Sequence, residues 1–195
     1  QDASALRKLI NLLEKQAAIA VDTESNSLHA YQEQVCLIQI SIPGKDYLVD
    51  PLSLDTLGRL SHIFASERIV KVLHGAEYDV RCLGRDFHVQ LVNLFDTRVA
   101  SRTLGWKKSG LGDLLAQVFN VRLDKRFQRA NWGKRPIPGD MLDYARLDTH
   151  YLLDLRTHLL SNLIKHDLEP QVIEMCNWMA LVPPSDNGFD PEGYW

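Results

Sequence analysis

The run Ala17 to Asp22 constrains the fold more than any other stretch. Apolar side chains run without interruption into Asp22, and Glu24 follows two positions later. A short apolar run of this kind reads as a buried strand. Residues two apart on a strand share a face, so Asp22 and Glu24 stand side by side where the strand ends. Two carboxylates on one face repel unless a cation neutralises them. A D-x-E pair alone is common, and a strand that ends at Asp22 with Glu24 in water explains it equally well.

The rest of the chain supplies what would cover such a strand. Helical spacing is predicted over 3–13, 54–64 with Ser53 as its cap, 76–87, 97–104, 111–119, 139–163 and 166–181. Strands are predicted over 35–42, 47–49, 69–73 and 91–95, with Pro43-Gly44 as the turn between the first two. A meander of strands followed by strand–helix alternation points to an α/β fold, a mixed sheet with helices on both sides.

Two further segments carry acidic residues that apolar neighbours pull inward. In the 139–163 pattern, Asp148 falls on the stripe of Met141, Ala145, Leu152, Leu155 and Leu159, where a lone carboxylate costs several kcal/mol without a partner. A buried cap or an ion pair with Arg81 or Arg98 satisfies it as well as a metal does. Tyr144 lies one turn before Asp148 on the same face. An amphipathic tyrosine packing its ring and wetting its hydroxyl is the plain alternative. Asp79 lies on the 76–87 helix beside Val80 and Leu83, where a surface-edge aspartate is the commoner outcome. If the three segments meet, an all-oxygen donor set suits Mg²⁺ or Mn²⁺, and such sites hydrolyse phosphodiesters. Asp96, between a strand and a helix, reads as an N-cap, and His74 as a core-edge histidine.

The connection 122–138 carries Lys125, Arg126, Arg129, Lys134 and Arg135 with Phe127 and Trp132 among them. Basic residues interleaved with aromatics suit nucleic-acid backbone contacts and base stacking. A solvated loop anchored by its aromatics is the alternative, and burial is expected for Trp132. A net charge of −3 argues against a protein that coats nucleic acid through general basicity, but leaves room for a local basic patch. Cys36, Cys82 and Cys176 are odd in number and far apart, which fits reduced buried thiols and a cytoplasmic location. No apolar run approaches membrane-spanning length, no signal peptide is expected, and Gln1 at the start reads as a trimmed end. One domain is expected over residues 1–182, with a linker over 183–195 where Pro, Asp, Asn and Gly accumulate.

Taken in order, these segments resemble the catalytic domain of the ribonuclease D family, DEDD 3′→5′ exonucleases with a tyrosine in their third motif. VDTES is similar to the first motif, KVLHGAEYDV to the second and YARLDTHYLL to the third, with likeness from about Ala17 to Leu163. The resemblance implies an RNase H-like mixed β-sheet flanked by helices, with extra C-terminal helices. It implies two divalent metal ions, with Asp22 bridging, Glu24 and Asp148 completing one site, Asp79 acting mostly through water and Tyr144 orienting the attacking water. It further implies a single-stranded 3′ end of RNA as partner; Lys125, Arg126 and Arg129 of the basic connection are the candidates to contact it, and no membrane and no obligatory protein partner are expected. The expected activity is trimming of structured RNA precursors such as tRNA to release nucleoside 5′-monophosphates. A DNA 3′→5′ exonuclease and a non-catalytic RNA-binding module are the alternatives. Asn131 departs from the family, which usually carries aspartate before the tryptophan, but it lies outside the expected ligands.

Overall fold

In the computed structural model, residues 3–54 and 57–184 are described. The elements run α1 (Ala3–Leu13), β1 (Ala18–Ser25), β2 (Val35–Ile42), β3 (Lys45–Val49), α2 (Leu60–Phe64), β4 (Val70–Leu73), α3 (Glu77–Phe87), β5 (Leu94–Asp96), α4 (Thr97–Thr103), α5 (Leu111–Phe119), α6 (Gly139–His150), α7 (Leu152–Lys165) and α8 (Glu169–Ala180). The five strands form one sheet in the order β3-β2-β1-β4-β5. β1 runs antiparallel to β2 and parallel to β4, so the sheet is mixed, as the pattern predicts.

β1 is the central strand, and its alternation organises the molecule. Ala20, Asp22 and Glu24 point to one face; Ile19, Val21 and Thr23 point to the other. α6 lies across β1, β2 and β3 on the first face, pinned where Thr149 meets Ser41 at 2.7 Å. α3 reaches β1 from the second face, through Thr23 and Asp79. The main core joins Ile19, Val21, Val72 and Leu73 of the sheet to Leu13, Phe64, Leu83, Leu155 and Leu159 of the helices. A smaller cluster beneath α6 gathers Leu37, Trp132, Met141 and Ala145. All three cysteines are free and buried, as expected. No described helix is long and apolar enough to cross a membrane.

Three expectations change. β1 continues to Ser25 rather than stopping at Asp22, so Asp22 and Glu24 are both strand residues paired with Gln39 and Leu37 of β2. The helix expected over 54–64 is only Leu60–Phe64; Asp50 instead caps a short 3₁₀ turn at Pro51–Ser53, and Gly58 takes a left-handed φ of 52° that a helix does not admit. Residues 55 and 56 of that expected helix lie outside the described residues. The single helix expected over 139–163 breaks at Tyr151 into α6 and α7. No glycine or proline marks the break. Tertiary anchors set it: His150 bonds Asp46 of β3 at 2.7 Å, and Tyr151 stacks on Phe119 of α5. Met141, Ala145 and Thr149 thus face the sheet's β1–β3 half, while Leu152, Leu155 and Leu159 face the main core. The linker expected over 183–195 falls outside the described residues from 185 onward.

Candidate active site

Three elements deliver the carboxylates. β1 supplies Asp22 and Glu24, α6 supplies Asp148 from its last turn, and α3 supplies Asp79 from its first. Ligand oxygens of Asp22, Glu24 and Asp148 all lie within 4.8 Å of one another, and the three residues are half-buried. Asp79 is buried at 6 % exposure, not at the surface edge its neighbours favoured. It accepts a 2.6 Å hydrogen bond from the Thr23 hydroxyl, which passes from β1 to α3 between the two acidic neighbours. A position in the first turn of α3 favours a negative charge through the helix dipole.

The cluster is electrostatically unbalanced. Among the described residues none of the four carboxylates forms an ion pair. Arg81, one partner considered for Asp148, instead binds Glu77 at 2.7 Å. Burial pushes the Glu24 carboxyl up to about 9, with repulsion from Asp148 and Asp79 adding to it. Burial raises Asp79 and Asp148 to about 7 each. Asp22 is also raised, by burial first and then by Asp79, Asp148 and Glu24. Four such groups cannot all stay ionised at neutral pH without added positive charge.

Tyr144 stands one turn from Asp148 on α6, with its ring edge-on to Phe127 at 5.7 Å and tilted against Trp132 at 6.2 Å. Burial, then repulsion from Asp148, Glu24 and Asp22, raises its hydroxyl well above the ordinary tyrosine value. The group therefore remains an O–H donor. The same contacts place the basic connection next to the cleft, because Phe127 belongs to it. Lys125, Arg126 and Arg129 are exposed there. Arg126 pairs with Asp124 and lies over the Phe127 ring at 5.3 Å, while the Arg129 carbonyl meets His29 at 3.0 Å. Arg135 is different. It bonds Asp50 at 2.7 Å, the Cys36 carbonyl at 2.7 Å and the Trp132 carbonyl at 2.6 Å, which makes it a pin that holds the connection to the sheet. Trp132 is buried at 1 % exposure, as expected.

Two supports carry no signal in the sequence pattern. Thr23 is one; an alternating strand gives no hint that its hydroxyl meets a helix 56 positions away. Tyr78 is the other. Its hydroxyl lies 2.7 Å from Ser25 and donates to Glu33 at 2.7 Å, stitching the segment after β1 to α3 beside Asp79.

A mixed sheet carrying carboxylates from β1, the first turn of α3 and the last turn of α6 is suited to metal-dependent phosphodiester hydrolysis. The 3′-5′ exonuclease family model matches residues 1–164, and the chain belongs to that family. Within it, the chain is 39 % identical over 193 residues to the exosome complex component 10 homolog of Caenorhabditis elegans, covering 97 % of this chain and 22 % of that protein. The catalytic core of RRP6 from Trypanosoma brucei superposes with a TM-score of 0.92 at 34 % identity, over 99 % of this chain and 54 % of that one. Escherichia coli RNase D superposes with a TM-score of 0.86 at 27 % identity, over 92 % of this chain and 48 % of that one. The chain spans about a fifth of the length of the curated relatives it matches. The family works with two divalent metal ions. The residues here fit them: the donors are all carboxylate oxygens, they converge within 4.8 Å, and no side-chain cation among the described residues offsets them.

Proposed function

We propose that this chain is the catalytic domain of a metal-dependent 3′→5′ exoribonuclease that trims the 3′ ends of structured RNA precursors, tRNA among them, and releases nucleoside 5′-monophosphates. One observation carries the reading: Asp22, Glu24 and Asp148 converge within 4.8 Å on a chain of the exonuclease family. Asp22, Glu24 and Asp148 would hold the cations, with Asp79 completing the charge beside them. When bound, such ions stabilise charge developing on the scissile phosphate and lower the pKa of water. The protein's own part is orientation. Thr23 fixes the Asp79 carboxylate, and the α6 backbone fixes Tyr144 relative to Asp148. Phe127 and Trp132 hold the Tyr144 ring, so its hydroxyl would hydrogen-bond and orient the attacking water from a fixed direction. Lys125, Arg126 and Arg129, exposed on the connection that carries Phe127, would contact phosphates of a single-stranded end.

RNA as substrate is supported by the similarity to RNase D, described as an exoribonuclease involved in structured RNA processing. The cleft is assembled within one chain, which supports hydrolysis without an obligatory protein partner. Relatives named as exosome components support recruitment into a larger assembly. The three buried free thiols support a reducing compartment, the cytoplasm in our reading.

End-labelled single-stranded RNA and DNA, each incubated with Mg²⁺, Mn²⁺ or EDTA, test this. Stepwise shortening of RNA from its 3′ end, stopped by EDTA and by a 3′-phosphate block, is expected. Preferential digestion of DNA overturns the RNA assignment, trimming from the 5′ end overturns the polarity, and RNA binding without cleavage overturns the activity.

A further inference from the structure

β2 reads VCLIQISI, and every residue of it is buried. Gln39 is the long polar side chain in that run. It has 0 % exposure, and neither its Oε1 nor its Nε2 has a hydrogen-bond partner. Native structures pair the great majority of buried side-chain polar atoms, so an amide unpaired at both ends marks a place where something else belongs.

Its neighbours narrow what that is. On the sheet Gln39 stands directly opposite Asp22 of β1 on one side and Leu48 of β3 on the other. Two residues along β2 on the same face lie Leu37 and Ser41. Leu37 packs with Trp132, Met141 and Ala145 beneath α6. Ser41 is already committed to Asp46 and Thr149, at 2.7 Å each. Leucine and alanine side chains offer no hydrogen bond. Directly opposed residues of an antiparallel pair have Cβ atoms about 4.5–5.5 Å apart, within reach of an amide and a carboxylate.

We propose that Gln39, whose Nε2 makes no bond to Asp22 in this structure, is a positioning residue that donates to the Asp22 carboxylate when cations occupy the cleft. This rests on the two-ion reading of the cleft given above. A ligating carboxylate keeps lone pairs that its ion leaves unused, and hydrogen bonds to them fix its rotamer. An amide fills that role without adding charge to a crowded anionic site; a lysine or arginine at the same position would displace a cation, and a glutamate would add a fifth repelling charge.

The test compares wild-type protein with Gln39→Met, which keeps the length and removes the polar atoms. Mn²⁺ alone is titrated into each by calorimetry, and melting temperatures are taken in EDTA. The expected result is a Mn²⁺ Kd about 10-fold weaker in Gln39→Met, a metal-free melting temperature no lower than wild type, and a fall in kcat with KM for RNA unchanged. Equal Mn²⁺ affinity overturns the proposal, and a lower metal-free melting temperature with equal affinity shows the amide serves folding alone. Wild-type protein that does not bind Mn²⁺ overturns the two-ion reading itself, and this proposal with it. Should Gln39→Met not fold, the wild type decides: the Gln39 side-chain amide resonances, from ¹⁵N-glutamine labelling, should shift as Mg²⁺ is added, and unmoved resonances overturn the assignment.

Discussion

Two buried acidic regions of this molecule behave in opposite ways. Asp96, at the end of β5, has 0 % exposure, yet its carboxylate accepts from the backbone N–H groups of Gly75, Ala76, Arg98 and Val99 at 2.7–3.1 Å. Asp50 also has a partner, and its hydrogen bonds to Arg135 hold it below the ordinary carboxylate range. The cleft carboxylates are more solvent-accessible than Asp96 on average, but they face one another, and among the described residues no cation pairs with them. Burial therefore does not distinguish a functional carboxylate from a structural one. Unanswered charge does: Asp96 completes the fold as it stands, whereas Asp22, Glu24 and Asp148 complete it only with something added.

Exchanging one carboxylate in each region gives the largest contrast. Asp22→Asn should reduce RNA hydrolysis on the order of 10³-fold or more, about 4 kcal/mol in barrier height, with circular dichroism unchanged. Its metal-free melting temperature should rise, because a repelling charge is gone. Asp96→Ala should do the reverse, costing about 3 kcal/mol of stability through the stranded N–H groups of α4 and the Gly75–Ala76 turn. Equal loss of stability in both variants would erase the distinction.

Tyr144 sharpens the comparison inside the cleft. Tyr144→Phe keeps the ring between Phe127 and Trp132 and removes only the hydroxyl. It should lower kcat roughly 10- to 100-fold, or about 1.4–2.7 kcal/mol, while metal-induced stabilisation persists. A wild-type rate would make the residue a packing group; loss of the metal effect would make it a support for the carboxylates.

The comparison also yields a slope with pH. The cleft carboxyls are raised from ordinary values of 3.8 for aspartate and 4.5 for glutamate, Glu24 to about 9 and Asp79 and Asp148 to about 7. A raised carboxyl holds its proton more tightly in the folded chain than in the unfolded one. The metal-free protein should therefore lose stability as pH rises from about 4 to 9, measured by urea unfolding in EDTA. Asp22→Asn should flatten that slope. Stability that climbs through this window would mean the carboxylates are already neutralised.

Much of this was legible in the chain, and what was missed has physical causes. Strand and helix periods located the sheet and most helices, and an apolar strand meeting Asp22 and Glu24 marked the site. Asp148 was legible because Met141 and Ala145 pull its face inward. The Tyr151 break was not, because His150–Asp46 and Tyr151–Phe119 are contacts between segments far apart in sequence. Asp79 read as a surface residue for the same reason: nothing local shows that Thr23 of β1 will cover it. Arg135 counted as one basic residue among five until Asp50 and three carbonyls claimed it. Gln39 was silent, since one polar residue in a buried strand acquires meaning only from what stands opposite.

The cleft is preformed and short of positive charge. Melting temperature across a Mg²⁺ or Mn²⁺ titration tests this most directly, comparing wild type with Asp148→Ala. Cations that bind only the folded form stabilise it by mass action. The melting temperature should climb with metal in the wild type and lose most of that climb in Asp148→Ala. A wild-type melting temperature that does not move, or an Asp148→Ala protein that gains as much as wild type, would contradict it.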